Sequence, residues 1–225
     1  MIMFLIPHAG GSIISYDFLK IIPSVKMHFL RLNFDRSEHI EDYSILIEYF
    51  IKEIDSVWDY SETAIFLGVS LGGQIAYDLV RYYERNSVRS IAKLVIVSSV
   101  FETKLSRIIS IAKGRSEKLQ AFLSGIGVSA DFLRNPRAKT SIINDFCLLA
   151  SRPIQTQQKL QTGILLICGR KDKEVCRQIN QWKKSSVQCS VSMYHGGHLF
   201  FLSNPNLICN EILQIIESTK KEYVL

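Results

Sequence analysis

Residues 65–73 read IFLGVSLGG: an apolar run stops at Ser70, with Gly68 two residues before it and Gly72 two after. A G-x-S-x-G pentapeptide arises by chance in a chain of this length with a probability of about 0.08, so the motif alone says little. Its setting says more. It follows a strand-length apolar run and opens an amphipathic helical pattern, the strand–turn–helix arrangement that holds a nucleophilic serine out on a sharp turn. Such a turn has no room for side chains at the two flanking positions, hence the glycines. A helix beginning at Leu71 would aim its free N–H groups at the place where an oxyanion forms.

A nucleophilic serine needs a base, and the base needs an orienting carboxylate. In this arrangement the chain order is Ser, then Asp or Glu, then His. The histidines are residues 8, 28, 39, 195 and 198, and only the last two follow the serine. Both lie in YHGGHLFFL, past the apolar run CSVSMY. His198, followed by a Leu-Phe-Phe run able to wedge its loop, is the expected base; His195 is the alternative, with a role in loop structure otherwise. Two histidines without a third ligand do not make a zinc site, so no metal is expected. For the carboxylate, GILLIC runs into GRKDKEV and sets Asp172 at the C-terminal edge of a strand, where a parallel sheet collects its reactive groups. Glu174 is the fallback. Asp131 and Asp145 fit the topology poorly. PHAGGS (7–12) follows the first strand, and the amide of Ala9 is a candidate second oxyanion donor beside that of Leu71. Neither GxGxxG nor GxxxxGK[ST] is present, which argues against a phosphate cradle, and no cofactor is implied.

The elements that must position these groups are legible as alternating patterns. Strand-length apolar runs fall at 2–6, 29–34, 63–68, 93–99, 163–168 and 189–194, several of them continuously apolar, as strands covered on both faces are. Between them, Tyr43, Leu46, Ile47, Phe50, Ile54 and Val57 predict a helix over 41–57. Leu71, Ile75, Leu79 and Tyr82 predict another over 71–85, and Ile208, Ile212 and Ile215 a last one over 206–219. The alternation predicts an α/β fold with a mainly parallel sheet. Residues 100–162 break the rhythm with helical patterns and no convincing strand, ending in a helix around 137–150. Helices inserted there read as a lid within one domain, 1–225.

The bulk properties narrow the class. The 225 residues are 47% hydrophobic, enough for a substantial core, and no apolar run approaches the roughly 18 residues of a membrane span. The start, MIMFLIPHAGG, lacks the basic region of a secretory signal. Five cysteines without a CxxC pair, most in apolar runs, suit buried thiols in a reducing cytoplasm. The net charge of +6 suits an acidic partner, while scattered basic residues without a binding motif argue against nucleic acid.

Taken together, PHAGGS, GVSLGGQIAYDL, ADFLRNPRAKTSIINDF, GRKDKEV and GGHLFFL run in order over nearly the whole chain. In them the chain resembles the type II thioesterases of nonribosomal peptide and polyketide synthases, members of the α/β-hydrolase superfamily. The resemblance implies an α/β-hydrolase fold with a sheet of about seven strands flanked by helices, and a helical lid over 100–162. It implies Ser70 as nucleophile, His198 as base, Asp172 as orienter, and the Ala9 and Leu71 amides as oxyanion hole. The expected partner is an acyl or peptidyl carrier protein whose phosphopantetheine arm bears the acyl group, and the enzyme is expected to act as a monomer. Lid positions Leu119, Phe122, Leu123 and Phe132 are expected to line the acyl channel, and Arg134, Arg137 and Lys139 to dock an acidic carrier. Val69 stands where the family often has histidine, a change expected in packing alone, and the chain starts almost on the first strand, which could weaken one sheet edge. The same triad would also serve a small-molecule carboxylesterase or an acyltransferase, and a binding protein that has lost turnover is the reading from another class.

Overall fold

A computed structural model describes residues 1–23, 25–32, 40–59, 61–86, 89–101, 124, 134–153 and 159–222. Six strands form one sheet: β1 (Ile2–Ile6), β2 (Lys26–Phe29), β3 (Ala64–Val69), β4 (Ile91–Val97), β5 (Ile164–Gly169) and β6 (Cys189–Tyr194). Their order is β2-β1-β3-β4-β5-β6, and every neighbouring pair is parallel. A 3-10 helix spans Ile13–Ile21. The α-helices with bounds among the described residues are α1 (Tyr43–Val57), α2 (Leu71–Asn86), α3 (Pro136–Ala150), α4 (Lys173–Lys184), α5 (Phe200–Ser203) and α6 (Pro205–Glu222).

The strands β1, β3 and β5 are buried at every position because helices cover both faces of the sheet there, while the edge strands β2 and β6 carry polar residues. Along β1, Ile2, Phe4 and Ile6 belong to one core with α1, α2 and Trp182, while Met3 and Leu5 belong to the other with the 3-10 helix, α5 and α6. This period-2 division puts every β1 side chain in a core. The chain runs outward from β1 to β2, then crosses to the other side of β1 to lay down β3. That reversal opens a crevice beyond the carboxyl ends of β1 and β3, the usual ligand position in such sheets. The elbow at Ser70 and the loop after β1 both lead into it.

Local signals set the helix starts. Asp42 accepts from the Ser44 and Ile45 amides at 2.7 and 3.2 Å, and Asn135 accepts from Arg137 and Ala138 at 3.0 and 3.3 Å, with Pro136 at the first turn. Three expectations need correction. The sheet has six strands among the described residues, as many as the apolar runs, where the family resemblance implied about seven. The second strand is 26–29 and not 29–34, because the chain leaves the sheet after Phe29 although Leu30 and Leu32 remain fully buried; apolarity there marks core, not pairing. On α2 it is Tyr83 that is buried, its hydroxyl 3.0 Å from Asp55, while Tyr82 is partly exposed. Leu119, Phe122, Leu123 and Phe132 lie outside the described residues, as do Asp131 and His39.

Candidate active site

The elbow is a strained turn built to present one hydroxyl. Ser70 has φ of 53°, a left-handed conformation that non-glycine residues avoid, at a cost of order 1–3 kcal/mol. The turn is held from both sides: Ser70 N–H donates to the Val97 carbonyl at 2.8 Å, and its own carbonyl accepts from Gly73 N–H at 3.0 Å. A Cβ at position 68 would overlap the Gly72 carbonyl, and one at position 72 would overlap the carbonyl oxygens of Ile6 and Pro7. Val69 is buried in the core with Met3 and Leu5.

The acid and histidine loops are registered to each other by backbone. Arg170 N–H donates to the Tyr194 carbonyl and Lys171 N–H to that of Gly196, both at 2.8 Å, so the turns after β5 and β6 are tied side by side. Asp172, buried, caps α4 by accepting from Val175 N–H with Oδ1 at 3.3 Å, which leaves Oδ2 for the imidazole. His198 Nδ1 lies 2.6 Å from Asp172 Oδ2, and its Nε2 lies 2.9 Å from Ser70 Oγ. A carboxylate on Nδ1 holds the ring proton there, so Nε2 is free to accept the serine proton. Phe200 and Phe201, both buried, wedge the loop that carries the histidine. The chemistry open to this arrangement is attack by a deprotonated Ser70 Oγ on a carbonyl carbon, with His198 shuttling the proton.

The alternatives are placed elsewhere. His195 is exposed, Glu174 lies 3.3 Å from Arg177, and His28 pairs with Glu53 at the sheet edge. Among the described residues, no group of three or more His, Cys, Asp or Glu could hold a metal ion. Arg134 and Arg137 are exposed and Lys139 is half-buried, all at the N-terminal end of α3.

Two residues outside the expected set shape the loop after β1. The Tyr16 hydroxyl accepts from the His8 backbone N–H at 3.0 Å and lies 2.6 Å from His8 Nδ1. Burial keeps that phenol protonated, so its hydrogen points at Nδ1 and the ring proton of His8 sits on Nε2. Burial, and secondarily the neighbouring His198, lower the His8 pKa to about 4, so its ring is neutral. The second residue is Asp145, fully buried on α3, whose Oδ2 accepts from Gly10 N–H at 2.8 Å. On α3, Ala138, Ser141, Ile142, Asp145, Leu148 and Leu149 form one buried stripe, and a carboxyl group in such a stripe needs a polar partner. Gly11 N–H donates to the His8 carbonyl at 2.8 Å, which leaves the amides of Ala9 and Leu71 as the candidates for a substrate oxygen.

A parallel sheet with a strained elbow serine after β3, a carboxylate after β5 and a hydrogen-bonded histidine after β6 defines an α/β hydrolase. The thioesterase-domain family model matches residues 1–218, and the chain belongs to that family. Solved structures agree in fold. The chain is similar to ClbQ from the colibactin NRPS/PKS pathway, with 15% identity, a TM-score of 0.83, and 97% of this chain and 98% of that one covered. It is also similar to YbtT, a type II thioesterase from the yersiniabactin NRPS/PKS pathway, with 18% identity, a TM-score of 0.78 and coverage of 95% and 91%. The prodiginine-pathway thioesterase RedJ of Streptomyces coelicolor aligns with 13% identity, a TM-score of 0.76 and coverage of 95% and 85%. Among curated proteins, none matches the chain by sequence.

Proposed function

We propose that this protein hydrolyses acyl groups from the phosphopantetheine arm of carrier proteins, clearing stalled or misprimed synthases. The observation that carries the reading is the hydrogen-bonded chain from Ser70 through His198 to Asp172, at 2.9 and 2.6 Å, on an elbow that admits no side chain at positions 68 and 72. Membership of the thioesterase family supports the leaving group, and the similar proteins named above come from NRPS/PKS and prodiginine pathways.

In this reading Ser70 Oγ attacks the thioester carbonyl while His198 Nε2 takes its proton. The tetrahedral oxyanion receives hydrogen bonds from the Ala9 and Leu71 amides. Collapse breaks the carbon–sulfur bond, and His198 returns the proton to the departing pantetheine thiol. A water, deprotonated by the same imidazole, then releases the acid from the acyl-serine. Asp172 stabilises the imidazolium in both halves. Residues 100–162 would act as the lid, with Leu119, Phe122, Leu123 and Phe132 along the acyl channel. The free thiols of the five cysteines suit a reducing cytoplasm.

The test is hydrolysis of an acyl-loaded carrier protein beside labelling with a fluorophosphonate probe. Wild-type protein should release the acid and take the label on Ser70. Ser70→Ala should abolish the labelling, and either Ser70→Ala or His198→Ala should lower kcat about a thousandfold or more, because triad members act as one unit. Labelling of Ser70 without cleavage of any carrier thioester would favour a small-molecule esterase. No labelling at all would favour a binding protein.

A further inference from the structure

We propose that Asp145 is a positioning residue for the oxyanion hole: reaching from α3, its carboxyl group holds the Gly10 amide and thereby aims the adjacent Ala9 amide at the reacting oxygen. The proposal rests on the reading that Ala9 N–H receives the oxyanion.

The loop from His8 to Gly11 is fixed almost atom by atom. His8 N–H is tied to Tyr16, Gly11 N–H to the His8 carbonyl, and Gly10 N–H to Asp145, a residue 135 positions further along the chain. These bonds point three of the four amides away, so the direction of the remaining one, Ala9, is set by its neighbours. Gly10 itself has φ of 69°, a conformation a side chain would strain, and a Cβ there would overlap Ile142. Ile142 and Asp145 are three residues apart on the buried stripe of α3, so one helix face both packs against the loop and bonds to it.

The far end of the same helix is clamped to α2, whose first residue is Leu71. Arg152, just past α3, donates from Nε and Nη2 to the two oxygens of Asp78 at 2.8 and 3.0 Å, and from Nη1 to Gln74 at 3.1 Å. Ser151 Oγ accepts from Tyr43 N–H at 3.0 Å. Both candidate donors, Ala9 through Asp145 and Leu71 through Asp78 and Arg152, are therefore referenced to one helix. Oxyanion donors act only when aimed at the position the charge will occupy, and loss of one lowers kcat about 100-fold or more. Loss of the group that aims one should cost less than that, but should fall on the same step.

The experiment compares Asp145→Ala with Asp145→Asn. The alanine removes the acceptor; the asparagine retains an oxygen in its place. On a short acyl-pantetheine, Asp145→Ala should lower kcat about 10- to 100-fold with KM within about threefold, and the rate of fluorophosphonate labelling at Ser70 should fall by a similar factor. Asp145→Asn should recover most of both. A wild-type rate in Asp145→Ala, a loss confined to KM, or an asparagine as impaired as the alanine would overturn the assignment. If the alanine variant does not fold, amide exchange in the wild-type protein decides: Gly10 N–H should be protected and Ala9 N–H should exchange freely, and the reverse order would refute the assignment. Labelling and exchange need no thioester turnover. A wild-type protein that cleaves no carrier thioester would thus overturn the proposed reaction and leave these readouts able to judge Asp145.

Discussion

At the scale of single residues, two imidazoles stand in different surroundings: His198 between Asp172 and Ser70, and His8 against the Tyr16 hydroxyl. In the proposed reaction His198 accepts and returns a proton, while His8, with its pKa lowered to about 4, stays neutral near pH 7. That shift has a consequence for stability. In the unfolded chain an ordinary imidazole binds its proton below about pH 6.5, whereas the folded protein resists binding it until about pH 4. The unfolded state therefore takes up the extra proton. The stability associated with His8 is complete above about pH 6.5 and is lost as pH falls towards 4. At about 1.4 kcal/mol per pKa unit, the swing is at most about 3.5 kcal/mol. Urea midpoints from pH 7.5 down to 4 should fall for the wild type and fall less for His8→Gln; parallel curves would show that His8 is not the group responsible. The three residues of the hydrogen-bonded chain were legible in the sequence because local marks announce them: paired glycines around Ser70, and strand ends before Asp172 and His198. Tyr16 and Asp145 carry no such marks. Their partners lie 8 and 135 positions away, and only the fold brings them together.

At the scale of elements, α3 is the member that sequence and structure describe most differently. Its span of Pro136–Ala150 agrees with the expected 137–150, since Asn135 and Pro136 punctuate its start. Its role did not follow from pattern, because a helix between β4 and β5 reads as a cover until its buried polar residues find their partners. One such partnership can be weighed. Asp78, almost fully buried, accepts from Arg152 and from the Tyr43 hydroxyl at 2.6 Å, joining α1, α2 and the end of α3. Removing the cation leaves a buried carboxylate without its main counter-charge, which costs about 3 kcal/mol or more. Arg152→Ala should therefore lower the unfolding free energy by about that amount. In the double variant with Asp78→Leu, the loss should be much smaller than the sum of the two single losses. Additive losses would show that the pair is not coupled. The same logic explains β2: its apolar run continues to Leu32 because burial continues, while the hydrogen-bond ladder to β1 ends, and periodicity alone does not separate the two.

At the scale of the whole molecule, the chain carries a net charge of +6. Arg134, Arg137 and Lys139 gather at the start of α3, and the first turn of that helix holds no acidic residue. Cations at a helix N-terminus oppose the macrodipole, at about 0.3–1 kcal/mol each when exposed. Helix stability is thus a poor reason for their position; in the proposed function they would meet the acidic surface of a carrier protein. Such attraction mainly speeds encounter and is screened over about 8 Å at physiological ionic strength. Raising salt should therefore lower kcat/KM for an acyl-carrier protein and leave a small acyl-pantetheine almost unaffected. Reversing Arg134 and Arg137 to glutamate should reproduce that selective loss at low salt. Because the reversal puts negative charge at the favourable end of the dipole, Tm should hold or rise slightly while carrier turnover falls. That opposition separates docking from general damage: a variant that loses stability and slows on both substrates would place these arginines in the fold, not at the carrier interface.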